Sequence, residues 1–559
     1  MKQKTLSIVM TRQMFDKIRK EQAKEAPNEI CFMLNGNLSR SSHHFRFVTT
    51  ESHFPLPEEY ARKEVAACRP TAKWFQDGLL HSAEEQMHTV DCHAHTFDKS
   101  DSPHESHMDH IAAEKMYPTM TETFPGMAIL SMVISHDFKG AEAHIYRPAL
   151  QCRTPIDKIM IIGPGQMEII YPTSSPLRAK TTSTTHKTDT SRLALAFGRE
   201  AIENNRNIRI GALGCGSLGE PIVVQLVNLG FPVTILDMDD FNEENANRSL
   251  FGNQITATRN LTKTELCRRA VLQTNPEADV RVIHGDLRDE EIQRQLTDCD
   301  LLVISTDNQT SRFVANHLAL VHGMVLFDAA TAISVKDGEL SAVFGQIIKV
   351  VPGSNLCHEC SDFFDATEAY QGLLSEEDYA LARERGYVGG DEMPAPSVMP
   401  LNMAMAGLTV WEILRYVTGA TPEEKWDILT VDLLNPAMQP HYYERDANGN
   451  RFNCPLCSSS GMLFGGDAVP LLTRQKGYTH SKAIELMRSE SWPSQSQTIP
   501  EEIPTEESEK IDDSPTFHHC QTREPDQILV TGKSGFIGNT ISIGYKICLW
   551  MRRIFRRGP

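Results

Sequence analysis

NIRIGALGCGSLGEPIVVQLVNLGFPVTILDMDDF, residues 207–241, reads as a strand, a glycine turn, a helix and a second strand in succession. Gly214, Gly216 and Gly219 follow the first apolar run at Gly-x-Gly-x-x-Gly spacing and open the helix, so backbone N–H groups and the helix N-terminus can receive phosphate there. Asp237 closes the second strand, where a carboxylate can hold ribose hydroxyls. That much suits a hydride-transfer enzyme as well as one that uses ATP. Further strand and helix units run from about Thr190 to about residue 465, the pattern of a doubly wound α/β region.

The residues after Asp237 separate the two readings. Asp239, Asn245 and Arg248 stand beside the ribose strand, Lys263 follows within TRNLTKTEL, and STDNQTSR supplies Asp307 and Asn308. Cations facing phosphates, with a carboxylate for magnesium, are what attack at the α-phosphate of ATP requires. Hydride transfer has no use for that set. Taken singly, Arg248 or Lys263 reads as a solvated helix charge and Asp307 as a helix cap; their joint order carries the functional reading.

These residues together resemble the ThiF/MoeB/HesA family, the adenylating fold shared with ubiquitin-activating enzymes. The likeness rests on the glycine loop, Asp237-x-Asp239, Asn245-x-x-Arg248, Lys263, Asn275-Pro276 and Thr306-Asp307-Asn308. It implies an ATP and Mg2+ site in which Asp237 binds ribose, Arg248 and Lys263 bind phosphates, Asn245 helps position them and Asp307 holds magnesium. Gly214, Gly216, Gly219, Asp239 and Asn308 complete the implied nucleotide-binding set. Arg192, in SRLALAFG, matches an arginine that the family offers to ATP across a dimer interface, so the resemblance also implies a homodimer through this domain.

Thirteen cysteines include two Cys-x-x-Cys pairs, Cys357/Cys360 and Cys454/Cys457, which in an intracellular chain read as metal ligands rather than a disulfide framework. Four thiolates would close the shell of a structural Zn2+, and the same family often carries this pair of motifs; reduced thiols packed in a core are the plainer alternative. Residues 361–453 contain no cysteine, although many ubiquitin-activating relatives place a thioester-forming cysteine in that segment. Cys215, inside the glycine loop, reads as a packing residue. An acyl-adenylate would then pass directly to a partner's thiol or amine, or a cysteine elsewhere serves.

Residues 1–172 alternate apolar strands (SIVM, EICFML, MAILSMVIS, KIMIIG) with helical patterns. Within them DCHAHTFDKSDSPHESHMDH, residues 91–110, gives His93-x-His95, a spacer and Ser106-x-x-Asp109. Two imidazoles and a carboxylate leave zinc an open position for a water of lowered pKa, and a general base must still take that water's proton. A His-x-His pair by itself is more often a solvated loop. The full set resembles the JAMM/MPN metallopeptidase family, whose motif begins with a glutamate on an earlier strand; Glu29 in PNEICFMLNG stands there. The resemblance implies a catalytic Zn2+ on His93, His95 and Asp109, Glu29 as the base, and Ser106 stabilising the tetrahedral intermediate. His104, His107 and His110 have no place in that motif and read as surface residues, while strand alternation points Cys92 away from His93 and His95.

The net charge of −18 argues against broad nucleic-acid binding. Neither a secretory signal nor a membrane-spanning run is apparent, which leads us to expect a cytoplasmic protein. The expected fold is α/β: a JAMM/MPN α+β domain at 1–172, a flexible Ser/Thr-rich linker at 173–189, a doubly wound Rossmann-like ThiF adenylation domain with a four-cysteine zinc site at 190–465, and a polar, partly disordered region at 466–559 ending in a basic amphipathic segment. VTGKSGFIGN, residues 530–539, mimics a second glycine fingerprint but leaves only about twenty residues to build a nucleotide fold.

The combined expectation is an enzyme that adenylates the C-terminal carboxylate of a ubiquitin-like protein ending in glycine, fused to a zinc isopeptidase that trims or releases the same protein. Such pairs resemble bacterial ubiquitin-like cassettes, some implicated in phage defence. A sulfur-carrier protein as substrate, and a non-catalytic nucleotide-sensing scaffold, are the alternatives.

Overall fold

The computed structural model describes residues 4–181, 191–354, 356–361, 365–384, 396–420, 426–435, 437–441, 454–458 and 461–474. The decoy fingerprint and the basic C-terminal segment lie outside the described residues. Among the described residues there are two large sheets. Nine strands form the first: β1 (Thr5–Thr11), β2 (Ile30–Arg40), β3 (His44–His53), β6 (His88–His95), β7 (Ile129–Ser135), β8 (Ala141–Arg147), β9 (Cys152–Pro155), β10 (Lys158–Ile162) and β11 (Met167–Ile170), in spatial order β11-β10-β1-β3-β2-β6-β7-β8-β9. A small hairpin of β4 (Tyr60–Glu64) and β5 (Ala67–Pro70) stands beside it.

Alternation along the strands divides the first sheet into two faces. Leu6, Ile8 and Met10 of β1 pack under helix α1 (Arg12–Glu25), meeting Phe15 and Ile18. Val90, Cys92 and Ala94 of β6 join that core, so Cys92 does turn away from its histidine neighbours. The opposite face serves two partners. Met33 packs with Leu79 of α2 (Ala72–Glu84) and with Tyr117 and Met120 of α3 (His107–Thr123), while Val9, Val48, Met160 and Ile162 enter the core of the second sheet.

That second sheet has the order β14-β13-β12-β15-β16-β17-β18-β19, made of β12 (Ile210–Leu213), β13 (Val233–Asp237), β14 (Val280–His284), β15 (Leu301–Ile304), β16 (Val325–Lys336), β17 (Glu339–Val350), β18 (Ile428–Asp432) and β19 (Ala437–His441). The first five in that order are parallel, and the last three join antiparallel. Strands such as Ile210–Leu213 are buried along their whole length, as expected where helices cover both faces. The order reverses between β12 and β15, and ligands of doubly wound sheets bind at such a switch point, outside the carboxyl ends of the strands. The fold is thus mixed α/β with a Rossmann-like parallel sheet.

The two sheets belong to one compact unit. Arg46 of β3 and Lys158 of β10, both fully buried, converge on Asp300 just before β15: Lys158 Nζ donates to Asp300 Oδ2 at 2.6 Å, and Arg46 Nη2 donates to Oδ1 at 3.2 Å. Arg46 also donates to the carbonyls of Cys299 (2.7 Å) and His322 (3.0 Å), and Lys158 to that of Asn207 (2.7 Å). Burial alone would raise the Asp300 carboxyl, but Lys158 and Arg46 outweigh it and hold it below its ordinary value.

Two polar connecting segments make tertiary hydrogen bonds over part of their length. Residues 173–181, read as flexible linker, are built into the first domain: Ser174 N donates to Glu142 Oε2 (2.9 Å), Ser175 Oγ donates to the Asp157 carbonyl (2.5 Å), and Pro176–Thr181 is helical. Residues 182–189 lie outside the described residues. Residues 466–474, the first part of the polar C-terminal region, pack against both sheets' elements: Arg40 Nε donates to Asp467 Oδ2 at 2.7 Å, and Gln293 Nε2 donates to the Leu472 carbonyl at 2.6 Å. Composition signalled polar connectors, and tertiary hydrogen bonds order them regardless.

Candidate functional site

The glycine loop begins where β12 ends. Gly214 has φ +92°, a left-handed conformation that side chains resist, and a Cβ on Gly219 would stand 2.0 Å from the Gly214 carbonyl oxygen. A Cβ on Gly216 would meet nothing within 4 Å, so open space faces that residue's backbone. Together with Asp237, Asp239, Asn245, Arg248, Lys263, Asp307 and Asn308, the loop lines a cavity of 390 Å³ at the switch point.

The carboxylate of Asp237 is fixed by its own surroundings, accepting from Cys215 N (2.6 Å) and Asp239 N (2.9 Å). Burial raises its pKa, with Lys263 opposing. Lys263 opens a helix capped by Thr262, and its Nζ donates to Asp239 Oδ2 at 2.7 Å. Burial works against the Lys263 ammonium, but Asp237, Asp239 and Asp307 overcome it and raise its pKa. Arg248 differs from Lys263: among the described residues its guanidinium has no acid partner, so a cation faces the cavity uncompensated. Asn245 Oδ1 accepts from Asn242 N (3.0 Å), and Asn308 Oδ1 accepts from Ser311 N (2.8 Å) as the cap of the helix Gln309–His322. Both are engaged in shaping the backbone here. Cys215 is fully buried, and the Cys267 thiol, together with burial, raises its pKa well above an ordinary thiol's, as fits a packing residue. Arg192 is exposed and lies outside the cavity lining.

Arg312, Asn402 and Ser217 line the cavity and escaped the sequence reading. Arg312 pairs with Asp328 and donates to the Thr306 carbonyl (2.5 Å), bracing the segment that presents Asp307; burial lowers its pKa to about 10. Asn402 reaches in from the helix Met399–Thr418 and donates to Ser217 Oγ at 2.7 Å, a meeting of residues 185 apart for which local sequence holds no signal. The STDNQTSR stretch itself contained Arg312 and was the available clue.

The four cysteines of the Cys-x-x-Cys pairs come together. Sγ atoms of Cys357 and Cys360 are 3.8 Å apart, those of Cys357 and Cys454 3.8 Å, and those of Cys360 and Cys457 3.6 Å. Four thiolates at about 2.3 Å from a tetrahedral zinc would sit about 3.8 Å from one another, so the donor set fits that ion. His358, between the first pair, has Nε2 3.0 Å from Asp328 Oδ2, linking this cluster to Arg312.

His93 and His95 of β6 and Asp109 of α3 each offer a ligand atom within 4.8 Å of the others. His93 Nε2 lies 3.4 Å from Asp109 Oδ2, and His95 Nε2 lies 3.6 Å from Glu29 Oε1. His93 Nε2 is buried without a hydrogen bond, an orphaned lone pair or proton aimed into the cluster. Ser106 and Asp109 form a capping box for α3: Ser106 N donates to Asp109 Oδ2 (2.7 Å) and Asp109 N to Ser106 Oγ (3.3 Å). The Ser-x-x-Asp spacing therefore has a helix-capping role of its own. Burial raises the Asp109 carboxyl, yet His93 and Ser106 bring it well below its ordinary value, whereas burial raises that of Glu29. Thr96 Oγ1 donates to the carbonyls of Pro27 (2.6 Å) and Asn28 (2.9 Å), tying the end of β6 to the turn that delivers Glu29. His104, His107 and His110 are exposed, as expected.

A Rossmann-like α/β domain with acids and cations at its switch point is what fold and site define. The model of the ThiF family matches residues 190–456, and this part of the chain is a ThiF-family domain. A curated relative, the sulfur carrier protein ThiS adenylyltransferase of Bacillus subtilis (strain 168), is 26% identical over 164 residues, covering 29% of this chain and 45% of the relative, so the match spans less than half of that protein's length. Among solved structures, E. coli MccB with ATP is 17% identical, covering 49% of this chain and 75% of its own, with a TM-score of 0.37. Selenomethionine PaaA is 12% identical, covering 46% and 84%, with a TM-score of 0.34. Likenesses that distant add nothing to the assignment. Among the described residues no helix is long and apolar enough to cross a membrane.

Proposed function

We propose that the chain adenylates the C-terminal carboxylate of a small ubiquitin-like carrier protein ending in glycine and, through its N-terminal JAMM/MPN domain, hydrolyses peptide or isopeptide bonds to that protein. The observation that carries the first activity is the convergence of Asp237, Lys263, Asp307 and Arg248, which has no acid partner among the described residues, on one cavity beside the glycine loop. In this reading Asp237 holds ribose, the backbone of Gly214 to Gly219 with Arg248 and Lys263 holds the phosphates, and Asp307 holds magnesium, which neutralises phosphate charge when bound. The carrier's carboxylate oxygen bonds to the α-phosphorus of ATP, the bond from that phosphorus to the bridging oxygen breaks, and pyrophosphate leaves with its electron pair. Arg192 reaches a second copy of the chain in a homodimer.

For the second activity, His93, His95 and Asp109 hold a zinc ion, which when bound makes water nucleophilic near neutral pH. Glu29 would serve as the base that accepts a proton, and Ser106 would steady the oxyanion. The four-cysteine cluster is a structural zinc site. A cytoplasmic setting and a part in phage defence belong to the same reading.

The absence of cysteine from residues 361–453 favours a variant in which the carrier is a sulfur carrier and no crossover thioester forms. ATP–pyrophosphate exchange, measured with the full chain and a candidate carrier, tests the core of the proposal. Exchange should require the carrier and vanish in Asp307→Ala; exchange that persists in that variant rejects the assignment of the site.

A further inference from the structure

A third group of metal-ligating side chains stands apart from the two clusters above. Glu51 and His53 lie two residues apart at the end of β3, so alternation sends both to one face, and His81 reaches them from the last turn of α2. His53 Nε2 and His81 Nε2 lie 3.0 and 2.9 Å from the same oxygen, Glu51 Oε2. The two rings meet edge-on with centroids 5.4 Å apart, and one ligand atom from each of the three residues lies within 4.8 Å of the others. The side chains of His53, Glu51 and His81 are 37%, 40% and 41% exposed, which leaves an entry path and room for water. Among the described residues Glu51 pairs with no lysine or arginine.

We propose that Glu51, His53 and His81 bind a divalent transition-metal ion, with Zn2+ the best match, and that water completes the shell. Both Nε2 atoms face the same carboxylate oxygen, so placing the ring protons on Nδ1 turns two imidazole lone pairs toward a cation seated beside that oxygen. A cation accepts a lone pair from all three groups and compensates the carboxylate charge. Ligand atoms about 2 Å from zinc lie about 3.3 Å apart in a tetrahedral shell, close to the spacing already present. Magnesium and calcium, which take oxygen ligands, fit two imidazoles badly. A bound ion clamps the end of α2 to β3, and α2 carries Leu79 into the layer shared with α3, the helix that presents Asp109.

The test uses the full chain, stripped by chelation and titrated with Zn2+ against a chromophoric chelator. His53→Ala/His81→Ala should bind one equivalent fewer than the parent chain, and the isosteric Glu51→Gln should weaken that equivalent at least tenfold. Cys457→Ser and His95→Ala, titrated separately, should each leave this equivalent in place, so failure of the peptidase reading removes a different ion. Equal stoichiometry and affinity in the parent chain and in Glu51→Gln overturns the proposal, even if the double variant proves unstable.

Discussion

Lys158 Nζ lies 2.6 Å from Asp300 Oδ2, with both side chains almost wholly removed from solvent, and this contact joins the last long strand of the N-terminal sheet to the parallel sheet of the ThiF-family domain. Removing one member of a buried ion pair strands the other in a low-dielectric setting, at a cost of about 3–5 kcal/mol. Lys158→Met leaves Asp300 paired with Arg46 and should destabilise the chain by about 1–3 kcal/mol in urea unfolding, whereas Asp300→Leu strands both Arg46 and Lys158 and should cost more. Asp300 titrates below its usual 3.8 when folded, so its contribution is complete above that value and disappears as pH falls through the folded pKa. Asp300→Asn should flatten this acid limb. For the same reason a chain ending at residue 172 would expose Arg46, Lys158, Val9 and Val48, and it should aggregate rather than report on the N-terminal site.

Arg248 faces the cavity beside the glycine loop without an acid partner among the described residues. Its removal leaves no buried charge unpaired, so Arg248→Ala should change unfolding stability by less than about 0.5 kcal/mol. ATP affinity in isothermal titration should fall about tenfold, equivalent to about 1.4 kcal/mol of lost phosphate contact. A stable variant with undiminished affinity would show that the cation faces something other than phosphate.

The four-cysteine cluster links residues almost a hundred positions apart, and a zinc ion bound there should act as a cross-link. Cys457→Ser is expected to lose one equivalent of zinc by elemental analysis and to lower the melting temperature by several degrees, because metal-binding free energy is folding free energy at such sites. Chelation should lower the melting temperature of the parent chain and have a smaller effect in the variant.

Glu29 and His95 stand 3.6 Å apart yet should fail differently. His95→Ala should reduce zinc content, while Glu29→Gln should keep the metal and lose hydrolysis of a carrier fusion by about a hundredfold or more, the usual share of a general base. A base must be deprotonated to act, and burial raises the Glu29 carboxyl. The hydrolysis rate should accordingly fall at low pH as Glu29 takes up a proton. A carrier fusion cleaved equally by Glu29→Gln would remove the base assignment.

The amino-acid sequence by itself determined the local elements and the order of the polar groups they carry. Glycines at 214 and 219 are required by a left-handed turn and by close approach to a carbonyl, and apolar runs such as Ile210–Leu213 can be satisfied only by burial on both faces, so both are readable as letters. Strand alternation likewise separated Cys92 from His93 without coordinates. Tertiary structure alone decided what distant segments do together. It seated Asn402 against Ser217, brought His81 to Glu51 and His53, and buried Arg46 and Lys158 around Asp300. Periodicity reports a residue's surroundings along one element, whereas ion pairing and ligand convergence depend on which surfaces meet, and no local pattern encodes that.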